Sequence, residues 1–176
     1  MTQIITTSIF PSPFGELVLG SFENRICLCD WRFRKMRSSI DIRIAQKLQA
    51  EYVEGTSGVI EQAKSELSEY FDGERTEFSI PILPVGSDFQ KTVWRELTHI
   101  PFGKTTTYLD LSIKLGNVKA IRAVATANGA NALSILIPCH RVIGSDGGLV
   151  GYAGGIVAKR KLLELEGAKA QLSLPL

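Results

Sequence analysis

The sequence predicts an α+β protein of two domains, a small first domain mixing strands with helices and a mostly helical second one, divided near residue 85. Three observations predict this. Short β-like runs bounded by turn residues open the chain. Segment 78–86, Phe-Ser-Ile-Pro-Ile-Leu-Pro-Val-Gly, is extended, because Pro81 and Pro84 exclude a helix, and reads as a last strand or a linker. Charge also changes sign across that segment. Residues 1–85 hold 9 Lys/Arg against 12 Asp/Glu, and residues 86–176 hold 11 against 6, so a net −3 precedes a net +5. Positive charge is thus concentrated where a polyanion-binding domain would carry it.

The elements follow in order. Ser12-Pro-Phe-Gly15 is a turn signal before a first strand, Leu17–Ser21, and Glu23-Asn24 precedes a second, Arg25–Trp31. Ile44, Leu48 and Tyr52 recur at helical spacing and predict a helix over 40–52. Ala63, Leu67 and Tyr70 predict another over 61–71, stopped by Gly73. In the second half, Ser87-Asp-Phe-Gln90 fits a capping box ahead of Val93, Trp94 and Leu97. Thr106 or Thr107 can cap a short helix running to Leu115. Gly116-Asn117 makes a turn, and 118–128 is a further helix. Two short helices around a Gly-containing turn form a helix-turn-helix pattern. The second carries Lys119 and Arg122 among alanines, which suits close approach to a nucleic-acid groove and equally suits tight packing on another helix. A last helix over 157–166 ends at Gly167.

The 176 residues, 44% hydrophobic and 22% charged, can bury a core without metal or disulfide support. No apolar run approaches the roughly 20 residues of a membrane span, and the first residues lack a signal-peptide pattern. Three cysteines, two of them spaced C-x-C, do not form a disulfide framework and point to a reducing, cytoplasmic setting. Cys27 and Cys29 lie on a predicted strand with no clustered histidine, so they read as structural, and no metal site is expected.

Cys139 stands out. It sits in Ile135-Leu-Ile-Pro-Cys-His-Arg-Val-Ile143, where two apolar runs bracket a compact polar cluster. Pro138 constrains the backbone, and His140 and Arg141 place proton-accepting or cationic groups next to the thiol. Basic neighbours can shift a thiol by several pH units. The pattern favours a nucleophile over a buried inert cysteine beside a surface His-Arg pair, and leaves its substrate open.

Ile137-Pro-Cys-His-Arg-Val142 resembles the active-site signature of the O6-alkylguanine-DNA alkyltransferases, the methylated-DNA–protein-cysteine methyltransferases. The likeness extends in order through Phe89–Leu97, Ile100–Tyr108, Gly116–Val124, Gly151–Gly155, Lys159 and Leu162–Glu166, spanning about residues 87–167. The first half matches chiefly at Ser12–Gly15. For the fold, the resemblance implies a ribonuclease H-like supporting domain with a mainly antiparallel sheet (1–85) and a winged helix-turn-helix-like DNA-binding and alkyl-acceptor domain (86–176).

For the site, it implies Cys139 as acceptor, His140 as base and Glu166 as the group holding the imidazole. Asn131 would tie the active-site segment to the recognition helix, and Tyr108 would hydrogen-bond the guanine ring. Read alone, Asn131 is a turn residue and Tyr108 an ordinary aromatic. Arg122 would fill the gap left by a flipped nucleotide, with Lys119, Ala123 and Thr107 on the DNA; its plain alternative is a phosphate contact or a solvated position. Tyr152, Val142, Ala153 and Asn128 would line the alkylguanine pocket.

The implied activity is single-turnover repair of O6-alkylguanine, with O4-alkylthymine an open second substrate. It needs no cofactor, and the partner is double-stranded DNA carrying alkylated guanine. The protein would be a monomer, nucleoid-associated in a bacterium or nuclear in a eukaryote, with no membrane role. Ala132 stands where many members have proline, and Asn128 where several have a larger residue, which leaves pocket size open. A non-catalytic lesion binder would lack Cys139. A thiol hydrolase leaves Tyr108 and Arg122 without purpose, and a helix-turn-helix regulator leaves the Cys-His-Glu set unexplained.

Overall fold

The computed structural model describes residues 1–168, and its contacts fall into two compact units, Met1–Gly86 and Ser87–Leu176. In the first, β1 (Gln3–Ser12), β2 (Gly15–Phe22) and β3 (Arg25–Trp31) are followed by α1 (Arg37–Leu48), β4 (Ala50–Glu54) and α2 (Gly58–Phe71). The sheet order is β3-β2-β1-β4, antiparallel except for the β1–β4 pair. The unit is therefore α+β with a mainly antiparallel sheet. Leu17, Leu19, Ile26, Ile5, Ile60 and Leu67 are fully buried in its core.

Two elements of this unit differ from expectation. The first strand is β1, not the Leu17 run. Its apolar residues come in adjacent pairs, Ile4-Ile5 and Ile9-Phe10, so the alternation that marks a half-buried strand is missing. The helix predicted through Tyr52 stops at Leu48. Gln49 takes a left-handed conformation (φ 51°) and its N–H caps the carbonyls of Ala45 and Gln46. Tyr52 instead lies in β4, its hydroxyl donating to the Asp41 carbonyl at 2.8 Å. Segment 78–86 is not a full strand. It makes one bridge, Ile26 to Ile82, with backbone bonds from Ile26 N to Pro81 O and Leu83 N to Ile26 O.

The second unit contains α3 (Asp88–Leu97), β5 (Thr106–Thr107), α4 (Tyr108–Lys114), a 3₁₀ turn Val118–Ala120 and α5 (Ile121–Gly129). A second 3₁₀ turn (Cys139–Arg141), β6 (Val142–Ile143) and α6 (Ile156–Leu165) complete it. The capping box forms at Ser87 and Gln90, and Thr107 caps α4 by accepting from Asp110 N at 3.0 Å. Expected as one helix, 118–128 divides into the 3₁₀ turn and α5. Trp94 of α3 donates to the Ala127 carbonyl of α5 at 2.8 Å, tying those helices together. β5 pairs in parallel with β6, so the residues preceding Tyr108 lie beside those following Arg141. Among the described residues no helix is long and apolar enough to cross a membrane.

Candidate active site

The segment leading to Cys139 is a tight, held turn. Asn131 Nδ2 donates to the Ile137 carbonyl (2.9 Å), and its Oδ1 accepts from Leu133 N (3.0 Å). Ile137 N returns to Leu133 O, and Cys139 N donates to Ile137 O, both at 2.8 Å. Within this turn Ile135 has φ 73°, a left-handed conformation that costs a β-branched residue on the order of 1–3 kcal/mol. It persists because the surrounding bonds and the burial of Ile135 over-determine it.

Cys139 opens the 3₁₀ turn and is only 4% exposed; all three cysteines carry reduced thiols. His140 is fully buried, and its Nε2 lies 2.7 Å from Glu166 Oε1 at the end of α6. Burial would raise the Glu166 carboxyl, but hydrogen bonds from His140 and Arg141 and the charge of the guanidinium outweigh it and bring it down to about 2. Glu166 is therefore an acceptor, so Nε2 carries a proton. Burial is also the largest influence on His140 and favours the neutral ring; Arg141 and Lys159 act in the same direction, against Glu166. In a neutral imidazole protonated at Nε2, Nδ1 holds the lone pair. That atom is buried and makes no hydrogen bond to the protein, so it can accept a proton.

Arg141 does not face the thiol, as its place in the sequence suggests. Its Nε and Nη2 each reach Glu166 at 2.9 Å, and Nη1 donates to the Ile100 carbonyl at 2.6 Å. The Phe102 ring lies 5.8 Å from the guanidinium carbon. Beside it, Gly103 has φ 78°, and a Cβ there would stand 3.0 Å from the Glu166 carbonyl oxygen. The Ile100–Gly103 turn thus packs on the charged group, and a side chain at position 103 would be both crowded and strained.

Lys159 was not expected at the site. It is fully buried, and its ammonium donates to Val142 O (2.6 Å), Val150 O (3.1 Å) and Gly151 O (3.2 Å). Burial lowers it to about 8, opposed by Cys139. Its signal in the sequence is positional: Lys159 falls with Ala158, Leu162 and Leu163 on the buried stripe of α6. A lysine there needs internal partners. Val150 O also accepts from Tyr108 Oη at 3.3 Å. Burial raises the Tyr108 phenol, Cys139 adds to this, and an Asn128 hydrogen bond opposes it, so Tyr108 is a proton donor at neutral pH. Asn128 is 6% exposed, and its Oδ1 has no hydrogen-bond partner.

The remaining sequence-derived positions divide between two places. The Tyr152 ring stands edge-on to His140, centroids 6.4 Å apart, and Ala153 follows it, half-buried. Val142 is buried, its carbonyl taken by Lys159. Lys119, Arg122, Ala123 and Thr126 are all exposed and spaced so that they share one face of the 3₁₀–α5 segment. The Thr107 side chain serves as the α4 cap. Among the described residues no three His, Cys, Asp or Glu side chains group so as to hold a metal ion.

The two units match two family models in turn. Residues 5–84 match the ribonuclease-like domain of 6-O-methylguanine DNA methyltransferase, and residues 88–168 match the DNA binding domain of the same proteins. The chain belongs to this family. A methylated-DNA–protein-cysteine methyltransferase of Methanosarcina barkeri is 41% identical over 158 residues, 90% of this chain and 94% of that protein. The constitutive enzyme of that name from Bacillus subtilis is 41% identical over 81% of this chain and 83% of its own. Among solved structures, an OGT of Mycobacterium tuberculosis in complex with DNA superimposes with a TM-score of 0.78 at 36% identity. That match covers 93% of this chain and 92% of that one.

Proposed function

We infer that this chain repairs DNA by direct reversal, moving an alkyl group from O6 of guanine onto Cys139 once per molecule. The observation that carries the reading is the buried thiol followed by a neutral imidazole whose Nε2 is fixed by Glu166 and whose Nδ1 is unbonded. The thiol proton passes to Nδ1, and the sulfur attacks the alkyl carbon. The carbon–O6 bond breaks with its electron pair on the base, and Tyr108 donates to the departing guanine. The product is a thioether, which holds no leaving group to restore the thiol. Tyr152, Ala153, Val142 and Asn128 form the pocket, and Asn131 holds the turn that presents Cys139.

The exposed face of α5 suits the nucleic acid. Lys119 and Ala123 approach the backbone, and Arg122 replaces the stacking lost when the alkylated nucleotide leaves the duplex, a cost of a few kcal/mol. The first unit supports the fold, and the protein works as a cytoplasmic monomer on double-stranded DNA. A lesion-binding protein without chemistry is the second reading, and the presence of Cys139 opposes it.

Incubation with a duplex containing O6-methylguanine, followed by peptide mass spectrometry, tests the assignment. One methyl group on the Cys139 peptide, without turnover, is expected. No adduct, or label on Cys27 or Cys29, overturns it. Arg122→Ala should slow repair in duplex by tenfold or more, roughly, while transfer from a free alkylguanine base holds, because only the duplex requires flipping. Duplex binding should weaken as salt rises.

A further inference from the structure

Arg141 directly follows the proposed acceptor and base, yet its guanidinium is committed elsewhere. Two of its nitrogens grip the two oxygens of Glu166, a third holds the Ile100 carbonyl, and the Phe102 ring lies against it. The Glu166 side chain is fully buried and that of Arg141 is 9% exposed, so water does little to screen the pair. Glu166 Oε1 is shared, accepting from both His140 Nε2 and Arg141 Nη2.

The sharing has two physical consequences. With His140 alone as partner, a carboxylate on a flexible side chain can rotate about a single hydrogen bond, whereas a two-point guanidinium fork fixes its plane. A lone buried carboxylate also favours the imidazolium form of a neighbouring histidine, and an imidazolium has no lone pair for a thiol proton. We propose that Arg141 is a positioning residue for alkyl transfer: it fixes the carboxylate that orients His140 and offsets its charge, so that the imidazole stays neutral and competent as a base. The groups acting on His140 are Lys159 from α6, Glu166 from its C-cap, Arg141 from its own turn, and the Tyr152 ring. Glu166 raises the imidazole, while Arg141 and Lys159 lower it. Of the two cations, Arg141 alone bonds the carboxylate directly, since Lys159 is spent on three carbonyls.

This inference rests on the alkyl-transfer reading, and the experiment separates the two. Single-turnover transfer from free O6-benzylguanine is followed from pH 5 to 9 for wild type, Arg141→Gln and Arg141→Lys, which leaves DNA binding out of the measurement. In Arg141→Gln the acid limb should move up by about one pH unit or more, because a nearby positive charge is lost. Arg141→Lys keeps the charge without the fork, so its limb should stay within about half a unit of wild type while the plateau rate falls by roughly tenfold. A buried ion pair of purely structural use predicts otherwise, with unmoved limbs and rates falling only with the folded fraction, and that result overturns the proposal. Nitrogen NMR of His140 in the wild-type protein gives a reading independent of variant folding. A neutral, Nε2-protonated ring at pH 7 supports the proposal, and an imidazolium overturns it. If wild type labels no cysteine, the repair reading falls, and His140 NMR compared between wild type and Arg141→Gln still decides the role of Arg141 toward His140.

Discussion

Each unit holds a buried carboxylate on arginine, Asp30 in the first and Glu166 in the second, and their surroundings shift the two carboxyls in opposite directions. In the first unit Asp30 is fully buried, with Arg34 and Arg37 on its oxygens at 2.8–3.2 Å, and Arg37 also pairs with Asp41. Its carboxyl is nevertheless raised, because burial outweighs the two arginines. In the second unit Glu166 is brought down to about 2 by His140 and Arg141 together, against the same burial. The thiols follow the same division. Cys27, on β3 with a carbonyl as its partner, is pushed up to about 12 by burial, and Cys29 higher still. Cys139 shares its turn with a neutral imidazole and has an ammonium near it. Burial alone makes a cysteine inert; burial with a placed proton acceptor and a placed cation equips it for chemistry.

The largest test of this contrast exchanges the thiols. Cys139→Ala should abolish transfer, whereas Cys27→Ala and Cys29→Ala should leave the rate per folded molecule within about twofold; single-turnover labelling measures both. Next come the carboxylates. Glu166→Gln strands buried arginine charge and should cost about 3–5 kcal/mol in urea unfolding at pH 7, whereas Asp30→Asn, which replaces a carboxyl whose ionisation burial opposes, should cost less. Only Glu166→Gln should also slow transfer per folded molecule by tenfold or more, roughly. A comparable slowing in Asp30→Asn would erase the distinction.

Acidification gives a third test, with opposite signs in the two units. Glu166 has a depressed carboxyl, so its contribution is present above pH 4.5 and is lost as pH falls toward about 2. At about 1.4 kcal/mol per pH unit that amounts to about 3 kcal/mol. Asp30 has a raised carboxyl, so its contribution is present below pH 3.8 and is lost as pH rises. Unfolding of wild type against Glu166→Gln and Asp30→Asn between pH 2 and 6 should show the two differences running in opposite directions. The smallest test treats the units alike. Ser57→Ala and Ser87→Ala each remove a helix N-cap and should each cost about 1 kcal/mol, with transfer per folded molecule unchanged.

How far the sequence spoke depended on whether a residue's role is local. The caps at Ser87 and Thr107 and the stops at Gly73 and Gly167 were legible, because capping is settled within four residues. So was the turn after α4. β1 was not, since exposed Ile4 and Ile9 stand next to buried Ile5 and Phe10, and apolar residues on the open face erase the period-two signature. Tyr52 misled because its spacing from Ile44 and Leu48 is helical, while the left-handed Gln49 that ends the helix carries no glycine to announce it. Cys139 and His140 stood out from the polar cluster between two apolar runs, while the part of Glu166 and the substrate came from a family resemblance. What Arg141 and Lys159 touch was hidden for a physical reason: a long cationic side chain can reach in many directions, and its sequence neighbours do not say which one burial selects.

Gly103 draws the edge of the site in a different way. It carries no charge or hydrogen-bonding side chain, yet its φ of 78° and the 3.0 Å approach to the Glu166 carbonyl make any side chain there both strained and crowded. In a deep mutational scan read by survival under alkylating stress, position 103 should therefore be as intolerant as position 139. A parallel readout of folded abundance would part them, with substitutions at 103 lost from both columns and Cys139→Ala lost only from the first. Counting reactive groups thus understates how much of the chain the chemistry constrains.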